Sequence, residues 1–255
     1  MVDSLTFASS MKKFIVLTAF LWSCGTDPLT SQQIVDKAIA ASQTDLLNNA
    51  SATFVFRNIQ YEYQSESGKF SFARTQLDSL GNEVKDVLTN EGLTRYINNE
   101  ETTITDEKRN AYTASVNSVI YFAFLPSSLN DQAVNKELIG TVKIGEQNYH
   151  KIKVTFNAEG GGEDFEDVFY YWFDVEDYSM DYLAYSYNEE DGKGIRFRVA
   201  YNSRKVSGIT IQDYKNLKPS IKDSVPLAEI DKAYMEGKLT QLSLIDLEDV
   251  VISIE

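Results

Sequence analysis

Carboxylates dominate the acid–base chemistry this sequence can offer: 38 Asp and Glu stand against one histidine and one cysteine. A Ser/His/Asp or Cys/His set needs a base to activate its nucleophile. The sole histidine, His150, sits in an alternating stretch beside Lys151, and no G-x-S-x-G elbow occurs anywhere, so it reads as a strand residue rather than a base. Zinc sites of the usual kind need several His or Cys ligands. "AEGGGEDFEDVF" gathers Glu159, Glu163, Asp164, Glu166 and Asp167 around three glycines. A hard cation such as calcium uses such oxygens, but the order is not that of an EF-hand loop. Acid plus glycine is also the composition of an exposed hairpin. The same glycines lack the Lys-Ser/Thr that completes a phosphate-binding loop. "NEEDGKG" is more simply a hairpin turn on Asp191-Gly192. Two carboxylates alone can run a glycosidase, yet nothing singles out a pair. The expectation is a non-enzymatic protein without catalytic residues, metal or cofactor, with a carboxylate-based hydrolase as the weaker alternative.

The cysteine has a more specific reading. Lys12 and Lys13 precede an apolar run from Phe14 to Trp22, too short for a spanning helix. A basic segment followed by a short apolar one is the layout of a secretory signal. It ends in Leu21-Trp22-Ser23-Cys24, which resembles the lipobox at which lipoprotein signal peptidase cuts before a cysteine. The expectation is a signal peptide over residues 1–23 with its true start at Met11, acylation of Cys24, a tether over 24–29, and one domain over 30–255. Two or three acyl chains anchor firmly where one does not. With no second cysteine, the domain lacks an internal disulfide, and its core must supply the stability.

A net charge of −14 argues against nucleic acid and against direct docking on anionic lipid head groups. What must position any site is a set of strands, because Tyr and Phe (15 and 14 residues) concentrate in alternating stretches. A short amphipathic helix begins at Thr30 or Ser31, with Ile34, Val35, Ala38 and Ile39 on one face. Strand-like segments follow. "SATFVFRNIQYEYQ" ends near Ser67-Gly68, "KFSFARTQLD" at Gly81-Asn82, and "LTRYINNEETTI" folds back at Asn98-Asn99, an antiparallel meander. Between Thr105 and Phe124 a helix intervenes, apolar on nearly every side toward Pro126. Strands then resume. Ile152, Val154 and Phe156 alternate with Lys151, Lys153 and Thr155, one dry face and one wet. Ile195, Phe197, Val199 and Tyr201 face one way, Arg196 and Arg198 the other. A late helix lies between Pro226 and Gly237, before a terminal strand from Leu239. The fold class is α+β: one large antiparallel sheet of about ten strands, curled into an unclosed half-barrel, with a helix inserted midway against its concave face.

The segments "NSVIYFAFLPSSLND", "NYHKIKVTF", "GGGEDFEDVFYYWFD", "DYLAYSYN" and "GIRFRVAYNSRKVSGITIQDYKNLKP" resemble a Bacteroidota lipoprotein family of unknown function, near the LolA-like lipoprotein carriers. That resemblance implies an unclosed barrel holding acyl chains under a helical lid, and a cell-envelope location. It assigns no activity. Soluble LolA lacks a lipid anchor, so Cys24 departs from it.

The residues expected to face a ligand are Tyr112, Val116, Val119, Ile120, Phe122 and Phe124 of the middle helix, and Phe72, Tyr170, Trp172 and Tyr185 of the strands. Phe54, Phe56 and Tyr187 share their character. Arg196 and Arg198 are solvent-side if the dry face is concave; if not, they clamp a carboxylate or phosphate head group. The expected protein is an anchored lipoprotein, facing the periplasm from the outer membrane, that binds or transfers a lipid or other apolar ligand as its middle helix opens and closes the cavity. The alternative is an envelope scaffold with a filled core that meets a protein partner through exposed tyrosines.

Overall fold

The computed structural model describes residue 1 and residues 28–159, 166–189, 192–222 and 224–254. The signal segment, Cys24, Glu163, Asp164 and Asp191 lie outside the described residues. None of the described helices is long and apolar enough to cross a membrane.

Thr30 starts the first helix, α1 (Ser31–Ser42). Its hydroxyl accepts from the Gln33 backbone N–H, and the Gln33 side chain accepts from Thr30 N–H at 2.9 Å, a reciprocal cap for two otherwise orphaned donors. Ile34, Val35, Ala38 and Ile39 are buried, as their spacing requires. The chain then runs as a meander: β1 (Ala50–Phe56), β2 (Ile59–Glu66), β3 (Lys69–Leu77), β4 (Glu83–Thr89), β5 (Gly92–Ile97) and β6 (Glu100–Thr102). Asn98 and Asn99 both take the left-handed backbone (φ 50° and 67°) that a two-residue hairpin demands. The stretch that reads as a single strand-like segment, Ser51 to Gln64, breaks the same way at Arg57 and Asn58 (φ 53° and 61°). Arg57 gives no turn signal, so this hairpin is invisible to a search for Gly and Asn pairs.

The middle helix, α2 (Asp106–Ala123), is capped by Thr105, with Asp106 and Glu107 in its first turn where the helix dipole favours them. Beyond it come β7 (Val134–Ile144), β8 (Gln147–Phe156), β9 (Val168–Asp174), β10 (Met180–Glu189), β11 (Gly192–Val206) and β12 (Ile209–Pro219). A short helix, α3 (Ile230–Met235), leads to β13 (Leu239–Ile245) and β14 (Glu248–Ile254). The expected terminal strand is therefore two strands, divided at Asp246 and Leu247.

All pairings are antiparallel, in two seven-stranded sheets. The first has the order β14-β1-β2-β3-β4-β5-β6 and the second β13-β12-β11-β10-β9-β8-β7. The chain crosses between sheets at β13–β14, whereas the outer edges β6 and β7 do not pair and α2 lies in the connection between them. This is the unclosed antiparallel α+β arrangement, with fourteen described strands shared between two sheets. A core cluster containing Phe54 of β1, Ile209 and Ile211 of β12, Ile252 of β14 and Ile120 of α2 joins the sheets.

The second sheet is covered on both faces. β9 is buried continuously from Phe169 to Asp174, the run expected of a strand with no wet side. On one face Trp172, Phe197 and Leu217 pack with Ile230 and Ala233 of α3. That cover corrects the reading of Lys151 as a solvent-facing residue. It is 4% exposed, and its Nζ donates to both Asp231 carboxylate oxygens at 3.0 Å and to Ala228 O at 2.7 Å.

Candidate ligand cavity

The other face of the second sheet looks toward α2 across a cavity of about 800 Å3. That lies within the range of small-molecule pockets, roughly 300–1,000 Å3. Strand register builds its wall. Tyr171, Leu183, Arg198, Asn216 and Ser243 stand opposite one another across β9 to β13, and Phe169, Tyr185 and Arg196 form the next row. Alternate residues share a face, so these rows point to one side and Tyr170, Phe197 and Leu217 to the other. Thr113, Asn117, Val119 and Phe122 of α2 face the rows; Phe56, Arg57 and Phe156 complete the wall with Gln212, Tyr214, Ile245 and Leu247.

The lining is mixed: Phe and Tyr rings share it with polar side chains from α2, such as Thr113 and Asn117, and from the strands, such as Gln212 and Asn216. Phe122 packs on Tyr185 (ring centres 5.2 Å apart) and Phe169 stacks on Tyr185 (5.3 Å). Tyr121 and Tyr171 share a hydroxyl hydrogen bond of 2.7 Å, and burial pushes both phenols up. Burial likewise pushes Tyr214 up to about 12, while its hydroxyl accepts from Gln212 Nε2 at 2.9 Å. These phenols therefore serve as neutral hydrogen-bonding groups near neutral pH.

Arg198 is 8% exposed. Its guanidinium lies 3.8 Å from the Phe122 ring centre and 5.2 Å from that of Tyr185, and Nη2 donates to the Tyr185 hydroxyl at 2.9 Å. Its Nε has no acceptor. Directly opposite on β12, Asn216 donates from Nδ2 to Ser243 Oγ at 3.3 Å, and its buried Oδ1 has no donor. The charged groups of the wall are Arg57, Arg196, Arg198 and Asp167, three positive to one negative in a chain of net charge −14.

On its opposite side α2 is fixed to the first sheet. Val116 is fully buried against Leu88 and Leu93. Asp86, on β4, bonds Arg74 at 2.9 Å and Arg95 at 2.6 and 2.8 Å. Arg95 stacks 3.5 Å from the Tyr112 ring centre, Arg74 donates to Ser115, and Arg109 donates to the Leu93 carbonyl. Burial alone would raise the Asp86 pKa, but the hydrogen bonds from Arg95 and Arg74 outweigh it and hold the carboxyl below its ordinary value.

Five of the expected ligand-facing residues meet in the cavity: Val119, Phe122, Tyr185, Arg196 and Arg198. Phe56 and Tyr187 join them. Tyr112 and Val116 lie instead against the first sheet. Ile120, Phe124 and Phe72 are packed beside that sheet too, Phe124 against Phe54 and Tyr63, and Phe72 stacked on Tyr63. Tyr170 and Trp172 are on the far face under α3. A helix apolar all round has two faces to place, and α2 gives one to the sheet and the other to the cavity. The arginines resolve the open question of sidedness, since it is their face that lines the cavity. Gln212, Tyr214 and Asn216 are wall residues the sequence reading passed over; three hydrogen-bonding side chains at alternate positions of one strand are their signal.

His150 is half-buried near Tyr178, and desolvation lowers its pKa. Glu159 and Glu166 are exposed, while Asp167 reaches the cavity wall. Among the described residues no three His, Cys, Asp or Glu side chains group as metal ligands.

The sequence matches the profile of a family of unknown function (DUF6503) over residues 11–247. The chain belongs to that family. None of the curated proteins matches this DUF6503 member. Among solved structures it is similar to a LolA superfamily protein from Nitrosomonas europaea, at 9% identity and a TM-score of 0.46, over 88% of this chain and 94% of that one. A DUF1329 family protein from Desulfovibrio piger matches at 9% identity and a TM-score of 0.41, again over 88% and 94%. The Mycobacterium tuberculosis lipoprotein LppX matches at 9% identity and a TM-score of 0.27, over 62% and 90%. LolA is the fold type that the sequence resembles.

Proposed function

We propose that this protein is a lipid-anchored lipoprotein of the cell envelope, on the periplasmic face of the outer membrane, that binds a lipid or other apolar ligand between α2 and the second sheet and hands it on. The observation that carries the reading is the cavity itself, about 800 Å3 of space walled by Phe56, Phe122, Phe156, Phe169 and Tyr185. Aromatic and aliphatic side chains facing open space lose the contacts a filled core would give them. An acyl chain restores those contacts, and burying its apolar area contributes about 25 cal/mol per Å2. No covalent step is required. Because α2 is fastened to the first sheet, the cavity opens where α2 faces the second. The scaffold reading has less support: all fifteen tyrosines are buried or half-buried, and none stands out as a fully exposed contact for a partner.

Native mass spectrometry of the whole chain carrying Cys24→Ser, which cannot be acylated there, tests the proposal. A reproducible adduct of lipid mass is expected from bacterial expression, and Val119→Glu, which puts a charge on the cavity wall beside the inter-sheet core, should remove it, with circular dichroism checking that the variant folds. Ile120 is a poor choice for this purpose, being 4% exposed in the core between the sheets. A bare polypeptide mass that persists after incubation with phospholipids and free fatty acids would sink the carrier reading.

A further inference from the structure

We propose that the cavity holds a specific head-group subsite, built from Arg198 and Asn216, and that its ligand is an amphiphile with a carboxylate head and a second hydrogen-bonding group close to it. The inference rests on the proposed ligand-binding role of the cavity and names the class of ligand.

A guanidinium has five N–H donors and no acceptor, and it keeps its charge at any ordinary pH. Burying one without an anion is costly, so buried arginines are paired with acids. Arg198, more than nine-tenths buried, has one hydrogen bond to the Tyr185 hydroxyl and two aromatic rings beside it. No carboxylate pairs with it among the described residues, and Nε lacks any acceptor. The rings of Phe122 and Tyr185 partly offset the charge and hold the guanidinium plane in place. Arg196, its neighbour in the wall, has engagements of its own and is not needed for the subsite.

The second observation is independent. Asn216 is the register partner of Arg198 on the adjacent strand, lines the same cavity, and also has a buried polar atom without a partner. Two side chains that each bury an unsatisfied polar atom stand side by side on one cavity wall. A carboxylate meets the arginine with charge-assisted hydrogen bonds. A hydroxyl or amide near that carboxylate reaches Asn216, and a hydroxyl answers either orientation of the amide because it both donates and accepts. The apolar chain then lies along Phe122, Phe169 and Tyr185. The negative charge of the whole protein opposes an anion at long range, so recognition depends on this local arginine.

Isothermal titration calorimetry on the whole chain with Cys24→Ser, comparing myristate, methyl myristate and 3-hydroxymyristate, separates the possibilities. Myristate is expected to bind about ten- to a hundredfold more tightly than its methyl ester, the ratio that one charge-assisted contact supplies. The 3-hydroxy acid is expected to bind several-fold more tightly again. Arg198→Met should abolish the acid-over-ester preference and Asn216→Val the hydroxyl preference. The wild-type comparison needs no variant, so a substitution that fails to fold leaves the test intact. Equal affinity for acid and ester overturns the subsite while leaving the cavity a lipid site, with Arg198 served by water. If acid and ester both fail to bind, the cavity reading falls and the subsite with it.

Discussion

Asp86 is nearly inaccessible to solvent and is held by two arginines from the neighbouring strands, Arg74 on β3 and Arg95 on β5. Removing its charge leaves both arginines without their acid, and losing one partner of a buried pair costs about 3–5 kcal/mol. Asp86→Asn is therefore expected to lower unfolding stability by about that amount in urea titrations at neutral pH. The sign of the pH effect follows from the lowered pKa of Asp86 in the folded state. The unfolded chain binds a proton at higher pH than the folded one, so this contribution is complete above the ordinary aspartate value of ~4. It is lost as pH falls toward and through the lower folded value. Acid titrations of stability should show a steeper loss in the wild type than in Asp86→Asn over that window. Equal slopes would mean that Asp86 titrates alike in both states.

At the scale of elements, α2 is a divided helix. Its Val116 and Ile120 side belongs to the core, its Val119 and Phe122 side to the cavity. Hydrogen exchange should find α2 amides opening together with those of β3 to β5, the strands it packs on. Ligand should add protection to α2 and to β10–β12. A helix that opens well before the first sheet would show instead that α2 lifts as a lid. The second sheet is divided in the same sense. Trp172 is buried under α3, with Nε1 donating to Asp231 at 3.3 Å, and it cannot touch a ligand on the opposite face. Trp172→Phe is thus expected to cost about 1–2 kcal/mol of stability with ligand affinity unchanged. Phe122→Ala, which strips the cavity wall and uncovers Arg198, should weaken binding. Equal loss of affinity in both would contradict the assignment of faces.

For the whole molecule, the cavity sits where one face of a sheet would otherwise meet a helix, so the empty protein forgoes packing that a ligand supplies. Binding to the folded state alone adds about 2.7 kcal/mol at a ligand concentration 100-fold above Kd. For a chain of this size that corresponds to a rise in Tm of about 5–10 °C. The rise should be present with a long-chain acid and absent in Val119→Glu. A wild-type Tm that does not move with saturating lipid would count against ligand storage in the cavity.

The sequence by itself determined the strand-rich α+β class, the positions of α1 and α2, the cap of α1, and the hairpins at Ser67-Gly68 and Asn98-Asn99. These follow from local rules: helical spacing, capping hydroxyls, and residues that accept a left-handed backbone. The alternation around Arg196 and Arg198 also came through, because strand geometry puts every second residue on one face. Local rules could not say which face of a strand becomes the inside. Lys151 carries a charge and alternates like a surface residue, yet Asp231, eighty positions away, gives it a buried partner. Nor could they divide the aromatic residues between filled core and cavity wall, since Trp172 and Tyr185 bury equally well in either. Tertiary structure decided both, by placing α3 over one face of the second sheet and packing α2 on the first sheet so that its Tyr121 and Phe122 meet the other face beside the cavity.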